Sequence, residues 1–224
     1  MILTNRLFDR RPATRNAKSI YIFCEGVKRE FQYFGYFKEI DSRINIEVYK
    51  LSSHEDNSPS GLYNIACNCI LKTEENPNPK YEFLDDDELW IVIDTDEDKL
   101  QSRKPQIEKL RVDCSKHNNW NIAQSNPCFE VWLYYHFFTE KLSGEELSKS
   151  KYWKKILNEN INGGFNSQRH PIYIETAIRN SEAVHSEIDN IPYMGCTQVY
   201  RLAKVIYPLV MEKFTEILRF VVDN

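Results

Sequence analysis

The sequence predicts an α/β fold: a doubly wound sheet of about four mainly parallel strands, with a helical cap supplied by the C-terminal third. Residues 19–24 and 88–93 contain the uninterrupted β-branched, aromatic and aliphatic runs Ile20 to Phe23 and Leu89 to Ile93, as expected of strands covered on both faces. Segments of helical period stand between the strand segments, which is the order of a parallel sheet with crossover helices. Beyond residue 141 the pattern is helical, and no further strand is expected.

The first strand, 19–24, ends at Glu25-Gly26. Residues 28–40 then place Phe31, Phe34, Tyr33, Phe37 and Ile40 at helical intervals, and 43–50 alternate apolar and polar as a strand does. After a polar loop, Pro59 marks a helix start, 62–72 read as a helix, and Asn76 to Pro79 close it. The strand 88–93 empties into the acidic run 94–98 and is followed by a helix over 104–117. Residues 120–124 form a short strand, and Ser125-Asn126-Pro127 has the composition of a cap for an apolar helix over 129–138. Helices are expected over 149–157, 174–188 and 197–222. The organisation is thus a basic arm (1–18), an α/β core (19–140) and a helical region packed on it (141–224).

With 224 residues, 42% hydrophobic and only seven glycines, the chain can bury a core without disulfides and is neither collagen-like nor extensively disordered. The start of the chain is basic where a signal peptide would be apolar, and no run is long enough to span a membrane, so a cytoplasmic protein is expected. Cys24, Cys67, Cys69, Cys114, Cys128 and Cys196 lack the spacing of a zinc site and read as small core residues. The net charge of −4 divides into an arm of +4 and a remainder of −8. Only local contact with a polyanion is compatible with that division, and Arg10 and Arg11 are the arm residues proposed for it.

The chemistry-bearing residues fall at the strand ends. In an extended segment Asp94 and Asp96 project to one side and could share a hard cation such as Mg²⁺ or Mn²⁺. Glu25, at the end of the first strand, would join them if the two strands are neighbours, giving a three-carboxylate cluster suited to phosphoryl transfer. Glu130, in the first turn of its helix, is a candidate fourth carboxylate. The acids at 85–88 read instead as a solvated turn. Lys149, Lys151, Lys154 and Lys155 surround Tyr152 and Trp153, a pattern of either a solubilising helix face whose aromatics dock inward, the commoner case, or a nucleic-acid surface in which an aromatic stacks on a base. None of the five histidines has paired-ligand spacing, and no Gly-rich phosphate loop is present.

Together these residues resemble the Toprim superfamily and, within it, the RloB-like or AbiLii-like proteins encoded in bacterial defence loci. The resemblance rests on Arg10-Arg11, on Cys24-Glu25-Gly26 with Glu30 and the aromatic pair Tyr33-Phe34, on Asp94-Thr95-Asp96-Glu97, on the stretch from Ser125 to Trp132, and on Thr197 to Leu202 after a Pro-containing turn. Val27 and the basic pair Lys28-Arg29 depart from the usual turn, and the turn at 190–197 is altered, so no substrate contact is assigned there. The resemblance implies a Toprim-like core and a Mg²⁺- or Mn²⁺-dependent nuclease in anti-phage defence, with RNA, tRNA or DNA as substrate. Asp94, Asp96 and Glu25 would hold the metal, Glu25 could serve as general acid or base, and Arg10, Arg11, Lys28, Lys154 and Lys155 would contact nucleic acid. A partner or activator from the same locus is also implied. The rival reading is an inactive nucleic-acid or nucleotide binding subunit. A phosphotransfer receiver would need a nucleophilic Asp with a suitably placed Lys, for which Thr95 offers no support.

Overall fold

The computed structural model describes residues 10–14, 17–96 and 100–222. Arg6, Asp9 and Arg15 of the basic arm, and Glu97 and Asp98 of the acidic run, lie outside the described residues. Four parallel strands, β1 (Lys18–Cys24), β2 (Ile44–Tyr49), β3 (Glu88–Asp94) and β4 (Trp120–Asn126), form the sheet in the order β2-β1-β3-β4. The burial patterns explain the sequence signals. β1 and β3 are central and buried along nearly their whole length, whereas β2 lies at the edge and alternates.

The helices divide between the two faces. α2 (Pro59–Ile70) and α3 (Leu100–Cys114) cover one face, where Leu62, Ala66, Ile107 and Leu110 pack on Tyr21, Phe23, Leu89 and Ile91. Ser58 caps α2 by accepting the Gly61 N–H at 3.1 Å, with Pro59 in the first turn. On the other face lie α1 (Arg29–Gly35), α4 (Glu130–Tyr134), α5 (Ser150–Asn160), α6 (Ile174–Val184) and α7 (Val199–Val222). Their buried residues, among them Tyr33, Trp132, Trp153, Ala177 and Phe214, form one apolar cluster with Ile20, Ile22, Trp90 and Val92. The helical region and the sheet therefore share a core.

Several expectations need correction. The C-terminal region does contain strands. β5 (Glu187–Ile188) and β6 (Ile191–Pro192) make a small hairpin, and β7 (Cys196–Thr197) joins the main sheet antiparallel to β4. A two-residue strand leaves no periodicity to read. Ser125 and Asn126 do not cap a helix. They belong to β4, where the Ser125 hydroxyl lies 2.8 Å from that of Thr197 and Asn126 Nδ2 donates to the Pro192 carbonyl at 2.9 Å. Phe129 precedes α4 without any side-chain cap, and the helix is short. Within the acids at 85–88, Asp87 is not solvated. It is 2% exposed and accepts the Ser19 and Leu84 N–H groups at 2.7 and 2.9 Å.

Candidate active site

In a doubly wound sheet, ligands bind at the carboxyl ends of the strands where the strand order reverses. Here β1 connects outward to β2 while the next strand, β3, lies on the other side of β1, so the reversal falls between β1 and β3. Glu25 follows β1 and Asp94 ends β3, and the strands are neighbours, with Cys24 opposite Val92. A cleft of 740 Å³ opens there. Among the described residues, its floor and walls carry four carboxylates, Glu25, Glu30, Asp94 and Glu130, and its rim carries Lys28, Arg29 and Lys154.

Each acid has a distinct setting. Glu30, in the first turn of α1, is 7% exposed, and its carboxyl lies over Gly26. Burial, with Glu130 and Glu25 nearby, pushes its carboxyl up to about 7. Asp94 keeps some surface open to the cleft. The apolar surroundings and the charges of Glu30, Glu25 and Glu130 nevertheless hold its carboxyl well above the usual range, against a smaller opposite effect of Arg103. Glu130 is 5% exposed, accepts from Arg29 at 3.2 Å and has Lys154 at 3.9 Å. Glu25 is gripped by Arg103, whose Nη1 and Nη2 donate to its two oxygens at 2.9 and 2.5 Å.

Asp96 departs from the expected geometry. The extended backbone ends at Asp94, where Thr95 turns to give its N–H and hydroxyl to the Ser125 carbonyl at 2.8 and 2.9 Å. Asp96 then adopts φ +53° and donates its N–H to the Pro127 carbonyl. The two-residue alternation that would align it with Asp94 is broken, and Asp96 is not among the residues lining the cleft.

Of the basic residues singled out, Lys28 and Lys154 reach the cleft rim. Arg10 donates to the Lys38 carbonyl, Arg11 gives its N–H to the Glu39 carbonyl, and Lys155 stands 3.9 Å from Glu159, none of them in the cleft lining. Trp153 cannot stack on a base. It is fully buried and donates its indole N–H to the Leu147 carbonyl at 2.8 Å. His136 is buried as well, 3.0 Å from the Tyr33 hydroxyl, and burial lowers it to about 3, so it is neutral. All six cysteines are free.

Sequence reasoning missed Arg103, which sits among polar residues early in α3 and reads there as a surface cation. It also left Glu30 without a role, although the Gly26-to-Glu30 spacing is visible in the sequence.

The model of the family described as RloB-like protein matches residues 20–206. The chain belongs to the RloB-like family. No curated protein and no solved structure matches it. The matched span runs from β1 into α7 and so includes all four cleft carboxylates of this RloB-like chain.

As donors, four carboxylates suit a hard divalent cation, and the raised carboxyls of Glu30 and Asp94 mark a cluster in need of positive charge. Their arrangement is another matter. Among the described residues no three His, Cys, Asp or Glu side chains are gathered as a ligand set. Among the same residues no helix is long and apolar enough to cross a membrane.

Proposed function

We propose that this RloB-like chain is a divalent-cation-dependent phosphodiesterase of Toprim type that cuts nucleic acid, RNA, tRNA or DNA, in anti-phage defence. The observation that carries this reading is the convergence of Glu25, Glu30, Asp94 and Glu130 on one cleft at the β1–β3 reversal, beneath a basic rim. Family membership supports the defence role. Mg²⁺ or Mn²⁺, when bound, would offset the charge developing on the phosphoryl oxygens.

The remaining work falls to the chain. Asp94 is the central ligand residue, rigid at the end of a buried strand. Lys28, Arg29 and Lys154 hold and orient the phosphate backbone at the rim. As the oxygen of water adds to phosphorus and the bond to the leaving oxygen breaks, a proton must leave the water. Glu30, whose carboxyl titrates near neutrality, is the cleft residue suited to take it. This transfers to Glu30 the acid–base role that the sequence assigned to Glu25, whose oxygens are engaged by Arg103.

The deciding experiment offers labelled tRNA, single-stranded RNA, and single- and double-stranded DNA to the protein with Mg²⁺, Mn²⁺ or EDTA. The expected result is cation-dependent cleavage that falls at least about a hundredfold in Asp94→Asn. A second reading, an inactive binding subunit, is favoured by the ungathered carboxylates. Equal nucleic-acid binding by wild type and Asp94→Asn, with cleavage by neither even beside a partner from the same locus, would establish it.

A further inference from the structure

Arg103 is fixed at the sheet end by three hydrogen bonds. It is 6% exposed, its Nη1 donates to Glu25 Oε1 at 2.9 Å, and its Nη2 donates to Glu25 Oε2 at 2.5 Å and to the Asp94 carbonyl at 2.9 Å. The Asp94 N–H also donates to Glu25 Oε2, at 3.2 Å. A carboxylate oxygen has two acceptor positions. Oε2 is therefore filled, and Oε1 has one position left.

The direction of this grip matters. Side chains alternate across a strand. Ile20, Ile22 and Cys24 pack on the α1 face, while Tyr21 and Phe23 pack on the α3 face. The alternation therefore turns Glu25 toward α3, the helix that carries Arg103. On β3, Trp90 and Val92 lie on the α1 face, and Asp94 continues their phase toward Glu30 and Glu130. The guanidinium thus holds Glu25 on the α3 side of the cleft, although its charge still reaches Glu30 and Asp94. The seat is not fully satisfied either, because Arg103 Nε is buried without a hydrogen-bond partner.

We propose that Arg103 is a built-in counter-cation of the carboxylate cluster, one that competes with a divalent ion for Glu25 and must release it for the site to load. This rests on the reading of the cleft as a divalent-cation site. In this arrangement Glu25 offers a cation at most one lone pair, and gathering the acids into a ligand set requires Glu25 to leave the guanidinium. Arg103 acts through Glu25, so it is a positioning residue rather than a catalytic one.

Direct Mn²⁺ binding, followed by electron paramagnetic resonance and by calorimetry without nucleic acid, tests this in the full chain. Arg103→Met removes the competing charge and is expected to bind Mn²⁺ about tenfold more tightly or better than wild type. Arg103→Lys keeps one charge but cannot engage both oxygens at once, and an increase of roughly threefold is expected. Should Arg103→Met not fold, Arg103→Lys carries the test alone. Asp94→Asn separates the two ideas. If wild type binds Mn²⁺ in a manner lost in Asp94→Asn, and the Arg103 variants bind equally or more weakly, competition is overturned and the guanidinium only aligns Glu25. If neither wild type nor the Arg103 variants bind Mn²⁺ better than Asp94→Asn does, the cation reading itself falls, and competition with it.

Discussion

The carboxylate of Glu30 lies against the α-carbon of Gly26, so closely that a Cβ on residue 26 would stand 1.8 Å from a Glu30 oxygen. Only a residue without a side chain lets this acid fold back over the turn after β1. Gly26→Ala should therefore displace the end of Glu30 rather than the backbone. Since a flexible carboxylate can move aside, the melting temperature should drop by no more than about 4 °C, the equivalent of roughly 1 kcal/mol in a chain of this size. The proposed nuclease activity should fall about tenfold or more, because the displaced group is the proposed proton acceptor. A thermal melt beside a cleavage assay distinguishes this from general unfolding.

The same residue sets a pH dependence. Burial first, then Glu130 and Glu25, raise the Glu30 carboxyl from 4.5 to about 7. In that interval the folded state holds a proton that the unfolded state has lost, so this contribution to stability is fully present below pH 4.5 and is lost as pH rises through about 7. Glu30→Gln should remove this slope and make the protein more stable than wild type at pH 8, by on the order of 1–3 kcal/mol. Denaturant melts at pH 5, 6.5 and 8 provide the check. A wild-type stability that rises across this range, with no change in Glu30→Gln, would contradict the assignment.

Two adjacent lysines should differ. Lys154 lines the cleft and approaches Glu130 at 3.9 Å, whereas Lys155 faces Glu159 on the outer side of α5. Lys154→Ala should weaken nucleic-acid binding several-fold and reduce the slope of log K against log salt by about 0.7–0.9, the contribution of one phosphate contact. Lys155→Ala should leave both unchanged. Binding titrations at three salt concentrations decide between them.

Asp87 provides a structural control far from the cleft. Its two oxygens accept the Ser19 and Leu84 amides at the opposite end of the sheet. Asp87→Ala leaves two amides without these acceptors and should lower the melting temperature by about 5–10 °C. Cleavage per folded molecule should be unaffected, as measured at a temperature well below the melt.

The sheet was legible because its interior strands announce themselves. No polar residue interrupts Ile20 to Cys24 or Leu89 to Ile93, and each of these runs ends in a carboxylate. Glu25 and Asp94 could be placed from that pattern alone, and Glu130 from the first turn of the helix that follows β4. Asp96 could not, since its position depends on a left-handed backbone step and on a bond to the Pro127 carbonyl, more than thirty residues away. Arg103 was hidden for a related reason. Its neighbours Ser102, Lys104 and Gln106 are those of a solvated helix, and only the approach of α3 to the end of β1 turns this arginine inward. Trp153 follows the commoner of the two readings open to it, its ring docked in the core while its basic neighbours face outward.

β7 pairs with the end of β4, at Ser125 and Asn126, through only two residues, Cys196 and Thr197, that come about seventy positions later in the chain. As the protein emerges from the ribosome, β4 is made early and waits with bare amides and carbonyls along one side until that late segment arrives. An open strand edge is a template for pairing with another molecule. Newly made chains are thus most prone to stick to one another during the interval between these two strands, and slowing synthesis there should lower the yield of soluble protein more than slowing it within β1 to β3.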